Sequence, residues 1–153
     1  MAHEWKRDNY IISTDKKRLD IEVIHNFLTT SYWSPGIPRE TIERALEHSL
    51  AFGLYAGDQQ IGLARLITDY ATFAYLADVF VLDAFRGQGL GKWLIQVVTN
   101  HPELQGLRRW VLFTKDAHGL YEQANFTPAR YPERLMEKLD VDIYTRSVRQ
   151  EKE

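Results

Sequence analysis

The most chemically specific stretch of this chain is Arg86-Gly87-Gln88-Gly89-Leu90-Gly91-Lys92. It lies between an apolar run ending at Leu82 and the run Lys92–Val98, which reads as a helix. The first amides of a helix lack intrahelical acceptors, and they carry partial positive charge. Glycines there let an anion approach the backbone closely. Arg86 and Lys92 add side-chain charge. Such a loop binds phosphate or pyrophosphate, although a tight strand-to-helix turn without a ligand would need the same glycines. Two other phosphate loops fail on spacing. A Walker loop needs Gly at position 86 and Ser or Thr at position 93, where this chain has Arg86 and Trp93. A dinucleotide fingerprint needs G-x-G-x-x-G early in a βαβ unit, and here the glycines read G-x-G-x-G.

Other residues invite a role. Asp78 is an acid in a mostly apolar run, which is costly unless it is paired or functional. A neighbouring strand or loop capped by Asp78, or a pair with Arg65, would satisfy it equally. Tyr32 and Trp33 are adjacent aromatics in a Pro/Gly loop, where ligand contacts are common. Trp33 could equally anchor the loop to the core. Tyr70 and Tyr75 flank the turn before the long apolar run. An aromatic wall of this kind suits an aromatic or cationic amine.

The elements that must position these groups read in order. Tyr10–Ser13 is a short strand. Asp20 caps a helix striped by Ile21, Ile24, Phe27 and Leu28, which ends near Ser31. A loop with Pro35, Gly36 and Pro38 follows. A second helix spans Arg39–His48, with Ile42, Ala45 and Leu46 inward. Ser49–Ala56 and Ile61–Asp69 form a hairpin. Thr72–Leu82 is a long apolar strand, expected at the centre of the sheet. The glycine loop and its helix come next, then a strand at Trp110–Thr114. A short helix over Ala117–Ala124 closes at Asn125, which tolerates the left-handed conformation. Phe126–Ala129 and Leu135–Met136 read as last strands. The order predicts a mixed α/β fold, one central sheet with helices on both faces. Residues 1–140 form one domain and 141–153 a polar tail, frayed or loosely docked.

Composition narrows the function. At 153 residues the chain suits one domain. Without Cys there is no disulfide and no thiolate zinc site. The five His show no ligand spacing, so no metal is expected. A net charge of −2 disfavours nucleic acid as a partner. No secretory signal and no run of ~20 apolar residues is seen, so a soluble cytoplasmic protein without a membrane partner is expected.

Two motifs at matching separation carry a resemblance. Arg86-Gly87-Gln88-Gly89-Leu90-Gly91 resembles the acetyl-CoA loop R-x-x-G-x-G of the GNAT acetyltransferases. Ala117-His118-Gly119-Leu120-Tyr121-Glu122-Gln123-Ala124-Asn125-Phe126 resembles their A-x-x-L-Y-x-x-x-G-F segment, with Asn125 in place of the usual Gly. The similarity in element order covers residues 10–136. It implies acetyl-CoA as cosubstrate and direct attack by an amine of a small molecule or peptide, without a covalent enzyme intermediate. It implies that backbone amides from Gly87 to Lys92 hold the pyrophosphate. The strand edge at Val79, Phe80 and Val81 would pair with the pantetheine arm, and the Val79 amide would polarise the thioester carbonyl. Tyr121 matches the general acid that protonates the thiolate; packing the last helix on the sheet is its other reading. Asp78 is the candidate base, with Asp69 and His118 behind it. Tyr32, Trp33, Tyr70 and Tyr75 would contact the acceptor. Dimers are common in the family, so the resemblance allows a homodimer but does not fix the oligomeric state. The alternatives are a CoA-binding regulatory module with little turnover and an unrelated phosphate-binding domain.

Overall fold

The computed structural model describes residues 2–146. Six strands form one sheet in chain order: β1 (Glu4–Arg7), β2 (Tyr10–Ser13), β3 (Leu50–Ala56), β4 (Gln59–Thr68), β5 (Phe73–Val81) and β6 (Arg109–Leu112). β1 to β5 are antiparallel, whereas β5 and β6 are parallel. The helices are α1 (Ile21–Leu28), α2 (Arg39–Glu47), α3 (Leu90–Thr99) and α4 (His118–Glu122).

Strand alternation sends neighbouring residues to opposite faces. Ala51, Leu63 and Phe80 meet Ile24 and Leu28 of α1 and Ile42 and Leu46 of α2. Phe52, Leu54, Ala64 and Leu66 meet Leu90, Leu94, Ile95 and Val98 of α3 on the other face. The mixed sheet with helices on both faces is therefore as the sequence predicts. The Asp20 carboxylate caps α1 by accepting the Val23 N–H at 3.2 Å. The Asp20 N–H donates to the buried Gln60 side chain at 2.7 Å, which ties the start of α1 to β4. Asn125 adopts φ 70°, the left-handed closure expected of it.

Two expectations need correction, and two features go beyond them. The long apolar strand β5 is not central; it is fifth of six, next to the edge strand β6. Its residues alternate between buried and half-buried, as in a strand covered unevenly on its two faces. Residues 126–129 and 135–136 form no strand; Pro128 and Pro132 interrupt the segment, and Leu135 and Met136 stay exposed. β1 was not anticipated, because Glu4-Trp5-Lys6-Arg7 is charged and only Trp5 packs on the core. In the tail, Tyr144 packs against the α1/α2 cluster beside Gly36. Its last residues, 147–153, lie outside the described residues.

Candidate active site

The site begins at a split in the sheet. β6 pairs with β5 from Phe73↔Arg109 to Leu76↔Leu112 and no further, whereas β5 runs on to Val81. At the same point β5 carries an extra residue against β4. Arg65 faces Asp78 and Leu66 faces Leu76, so Ala77 is bulged. A bulge bends and twists its strand locally, and here it coincides with the divergence of β5 from β6. Among the described residues, the β6-facing edge of β5 has no strand partner beyond Leu76. The Leu82 N–H donates to the Ile61 carbonyl of β4 at 2.8 Å. Backbone alternation then turns the Val79 and Val81 N–H groups away from β4, into the split. Phe80 is different. Its backbone faces β4 and its ring stacks on Phe27 of α1 with centroids 4.1 Å apart, so it does not line the split.

The glycine loop follows β5 directly. Gly87 and Gly89 hold φ of 82° and 79°, a region costly to other residues. A Cβ on Gly87 would meet nothing within 4 Å, so the loop leaves open space above it. Gly89 begins α3 with no side-chain cap, and the first intrahelical bond is Trp93 N–H to Gly89 O at 3.0 Å. The amides of Leu90, Gly91 and Lys92 thus point out of the helix start without a helical acceptor. Arg86 is tied back, through Nη1 to Asp83 at 2.7 Å and through Nε to the Val81 carbonyl at 2.9 Å. Gln88 accepts the Tyr10 hydroxyl at 2.8 Å. Lys92 is exposed.

Tyr121 sits on α4 and packs against the core, edge to face with Phe126 at 5.9 Å. Burial pushes its phenol up to about 12, and the nearby Tyr32 and Asp116 push in the same direction. The group is therefore a proton donor across the neutral range.

The Tyr32-Trp33 loop spans the split. The Trp33 Nε1–H donates to Asp78 Oδ1 on β5 at 2.7 Å. The Tyr32 hydroxyl accepts the Lys115 N–H beyond β6 at 3.1 Å, and the Lys115 ammonium lies 5.6 Å from the Tyr32 ring centre. Asp78 is 6% exposed, and its Oδ2 accepts the Arg65 Nε–H at 2.6 Å. The pair with Arg65 weighed from the sequence is thus formed. Tyr75 stands near this pair, with burial raising its pKa and Asp78 adding to the rise. It meets Phe113 edge to face at 5.9 Å.

The other candidates lie apart. Tyr70, at φ 62°, belongs to the β4–β5 turn at the opposite end of β5, with Glu103 as its charged neighbour. Asp69 holds that turn by accepting the Ala71 and Thr72 N–H groups at 2.9 and 2.8 Å and the Thr72 hydroxyl at 2.6 Å. These bonds hold its carboxyl well below the usual carboxylate range, so it is spent on the turn. Among the described residues no cluster of His and acidic groups could hold a metal. No helix among them is long and apolar enough to cross a membrane.

Sequence reading missed Arg7 and Lys115. Arg7 reaches from β1, its Nη2 3.8 Å from where a Gly89 Cβ would stand and its guanidinium 5.9 Å from the Trp93 ring centre. No local pattern marks it, because β1 is a charged edge strand recruited by pairing with β2. Lys115 meets Tyr32 through its backbone N–H as well as its ammonium, and a backbone donor carries no residue signature.

A mixed sheet split between two parallel strands, with a glycine-rich helix start at its mouth and a phenol kept protonated beside Tyr32, is an arrangement that suits acyl transfer of the acetyltransferase type. The acetyltransferase (GNAT) family model matches residues 18–126, and the chain belongs to this family. A Gibberella zeae protein named as a candidate acetyltransferase is 34% identical over 140 residues, covering 76% of this chain and 78% of that one. A crystal structure of a candidate GNAT acetyltransferase from Xanthomonas campestris pv. campestris is 48% identical, with a TM-score of 0.86 over 89% of this chain and 96% of that one. A GNAT family acetyltransferase from Elizabethkingia anophelis, solved with acetyl-CoA bound, shares the fold at a TM-score of 0.63 and 18% identity, over 87% of this chain and 89% of that one.

Proposed function

We propose that this chain transfers the acetyl group of acetyl-CoA to a primary amine of a small molecule or peptide by direct attack of the amine on the thioester. The observation that carries the reading is the split. Two β5 amides face it, the free amides of α3 stand at its mouth, and the Tyr121 phenol is protonated beside it. The open space over Gly87 fits a pyrophosphate held by the amides of Gly87 to Lys92, with Lys92 and Arg7 adding charge. Arg86 contributes by fixing the loop to Val81 in this conformation. The Val79 N–H polarises the thioester carbonyl, an interaction typically worth about 2.7–4 kcal/mol in such reactions. The amine attacks as the free base; as the C–N bond forms and the C–S bond breaks, the Tyr121 hydroxyl donates its proton to the departing sulfur, the proton lost by the attacking nitrogen passes to water, and water returns a proton to the Tyr121 phenolate. Tyr32 and Trp33 form the acceptor wall, with Asp78 as the buried carboxylate behind it. The reading carries no role for nucleic acid or a membrane, and it is compatible with a cytoplasmic location and with a homodimer.

The test is a panel of primary amines (amino acids, spermidine, 2-phenylethylamine and short peptides) incubated with acetyl-CoA while free CoA is followed. Amine-dependent release supports the reading. A rise in melting temperature with acetyl-CoA, with no release from any amine, would instead support a CoA-binding module.

A further inference from the structure

We infer that the Arg65–Asp78 ion pair positions Trp33, and through it the acceptor wall, and that Asp78 does not take the amine proton. This rests on the acetyl-transfer reading above. Both Asp78 oxygens are committed, Oδ1 to the Trp33 indole at 2.7 Å and Oδ2 to Arg65 at 2.6 Å. The chain of contacts runs further back. Arg65 Nη1 donates to Ser49 Oγ at 3.1 Å, and the Ser49 hydroxyl donates to the Ala45 carbonyl of α2 at 2.6 Å. The orientation of the indole is thus fixed from the end of α2 across β4 and β5.

The bulge at Ala77 makes this possible. Had the register that pairs Leu66 with Leu76 continued without the bulge, Ala77 would face Arg65 and the Asp78 side chain would share the face of Leu76, away from Trp33. The pair is buried, with side-chain exposures of 17% for Arg65 and 8% for Asp78. A proton placed on Asp78 would leave the Arg65 guanidinium buried and uncompensated, which is strongly unfavourable. A general base here would have to break the pair in every turnover. Trp33, by contrast, is 38% exposed, and its ring meets Tyr32 edge to face at 5.1 Å. Moving the indole therefore moves Tyr32, whose hydroxyl is held across the split by Lys115.

Asp78→Asn, Trp33→Phe and the double variant test this on the full chain. The first readout needs no acceptor: the Trp33 indole N–H resonance and its exchange protection in 1H–15N spectra. In Asp78→Asn the resonance should move upfield and lose protection. The second uses the panel amine that gives the fastest CoA release. Its KM should rise about tenfold, as for loss of one charge-assisted hydrogen bond. The pH profile of kcat should be unchanged, and the double variant should be little worse than Trp33→Phe alone, since Asp78 acts through Trp33. An indole resonance that does not move, additive effects in the double variant, or loss of the acidic limb of kcat would overturn the inference. If Asp78→Asn fails to fold, Arg65→Met/Asp78→Leu replaces the pair by apolar volume and gives the same readouts. A chain inactive with every amine, whose indole responds as described, sinks the amine-acceptor reading and leaves the network standing.

Discussion

Gly89→Asp separates the two reasons for a glycine at the start of α3. The first is backbone conformation, since Gly89 sits at φ 79°. Asp visits this region more readily than most residues. A Cβ there has room, because among the described residues its only neighbour within 4 Å is Arg7 Nη2 at 3.8 Å. The new carboxylate would also face that guanidinium, an exposed pairing worth at most about 1 kcal/mol. Folding should therefore lose no more than about 1 kcal/mol, or roughly 2–4 °C in Tm for a chain of this size. The second reason is electrostatic. A carboxylate about 4 Å from a bound phosphate repels it by about 4 kcal/mol at an effective dielectric constant near 20. That corresponds to roughly a 10³-fold weaker Kd. Isothermal titration of acetyl-CoA, paired with thermal melts, reads both quantities. A Gly89→Asp protein that melts near wild type and binds acetyl-CoA as tightly as wild type would refute the loop as the pyrophosphate site. A protein that does not fold would refute the claim that the position tolerates a Cβ.

Tyr121→Phe should lower kcat by roughly 10²–10⁴-fold with little change in acetyl-CoA Kd. Because the phenol is pushed up to about 12, the wild-type rate should show no alkaline limb from this group up to pH 10. Tyr32→Ala should raise the acceptor KM and leave the acetyl-CoA Kd unchanged, as steady-state kinetics beside titration would show. Gly62→Ala would push a Cβ to 2.7 Å from the Phe80 carbonyl and 3.0 Å from Leu54 Cδ2. It should cost about 1–3 kcal/mol by denaturant melts, while Gly57→Ala, with open space around it, would suffer only from its positive φ. His101 is buried, its Nδ1 accepts the Glu103 N–H at 3.1 Å, and burial followed by His3 lowers its pKa. The native state thus favours neutral His101. Its contribution is complete above the unfolded pKa of about 6.5 and is lost as the pH falls through the lower native value. Melts from pH 8 to 5 should show this fall, and His101→Asn should flatten it.

What the sequence by itself determined was local. Gly87 and Gly89 adopt the left-handed backbone that their type permits, Asp20 caps α1, and Asn125 closes α4. Each depends on interactions within a few residues, so residue type and spacing suffice to predict it. The order of elements from β2 to α4, and the covering of both sheet faces, also follow from local periodicity. The tertiary structure decided which distant residues meet. Tyr32 reaches Lys115 across 83 positions, Trp33 reaches Asp78 across 45, and Arg65 pairs with Asp78 only because the register slips by one residue at Ala77. Sequence reasoning left Asp78 between a partner and a base, since an acid's surroundings depend on the face its strand presents. It also set Tyr70 beside Tyr75, although β5 carries Tyr75 toward the split and leaves Tyr70 at the far turn. Arg7 shows the same limit from the other side. Its place near the glycine loop depends on β1 pairing with β2, and a charged edge strand carries no apolar pattern to announce that pairing.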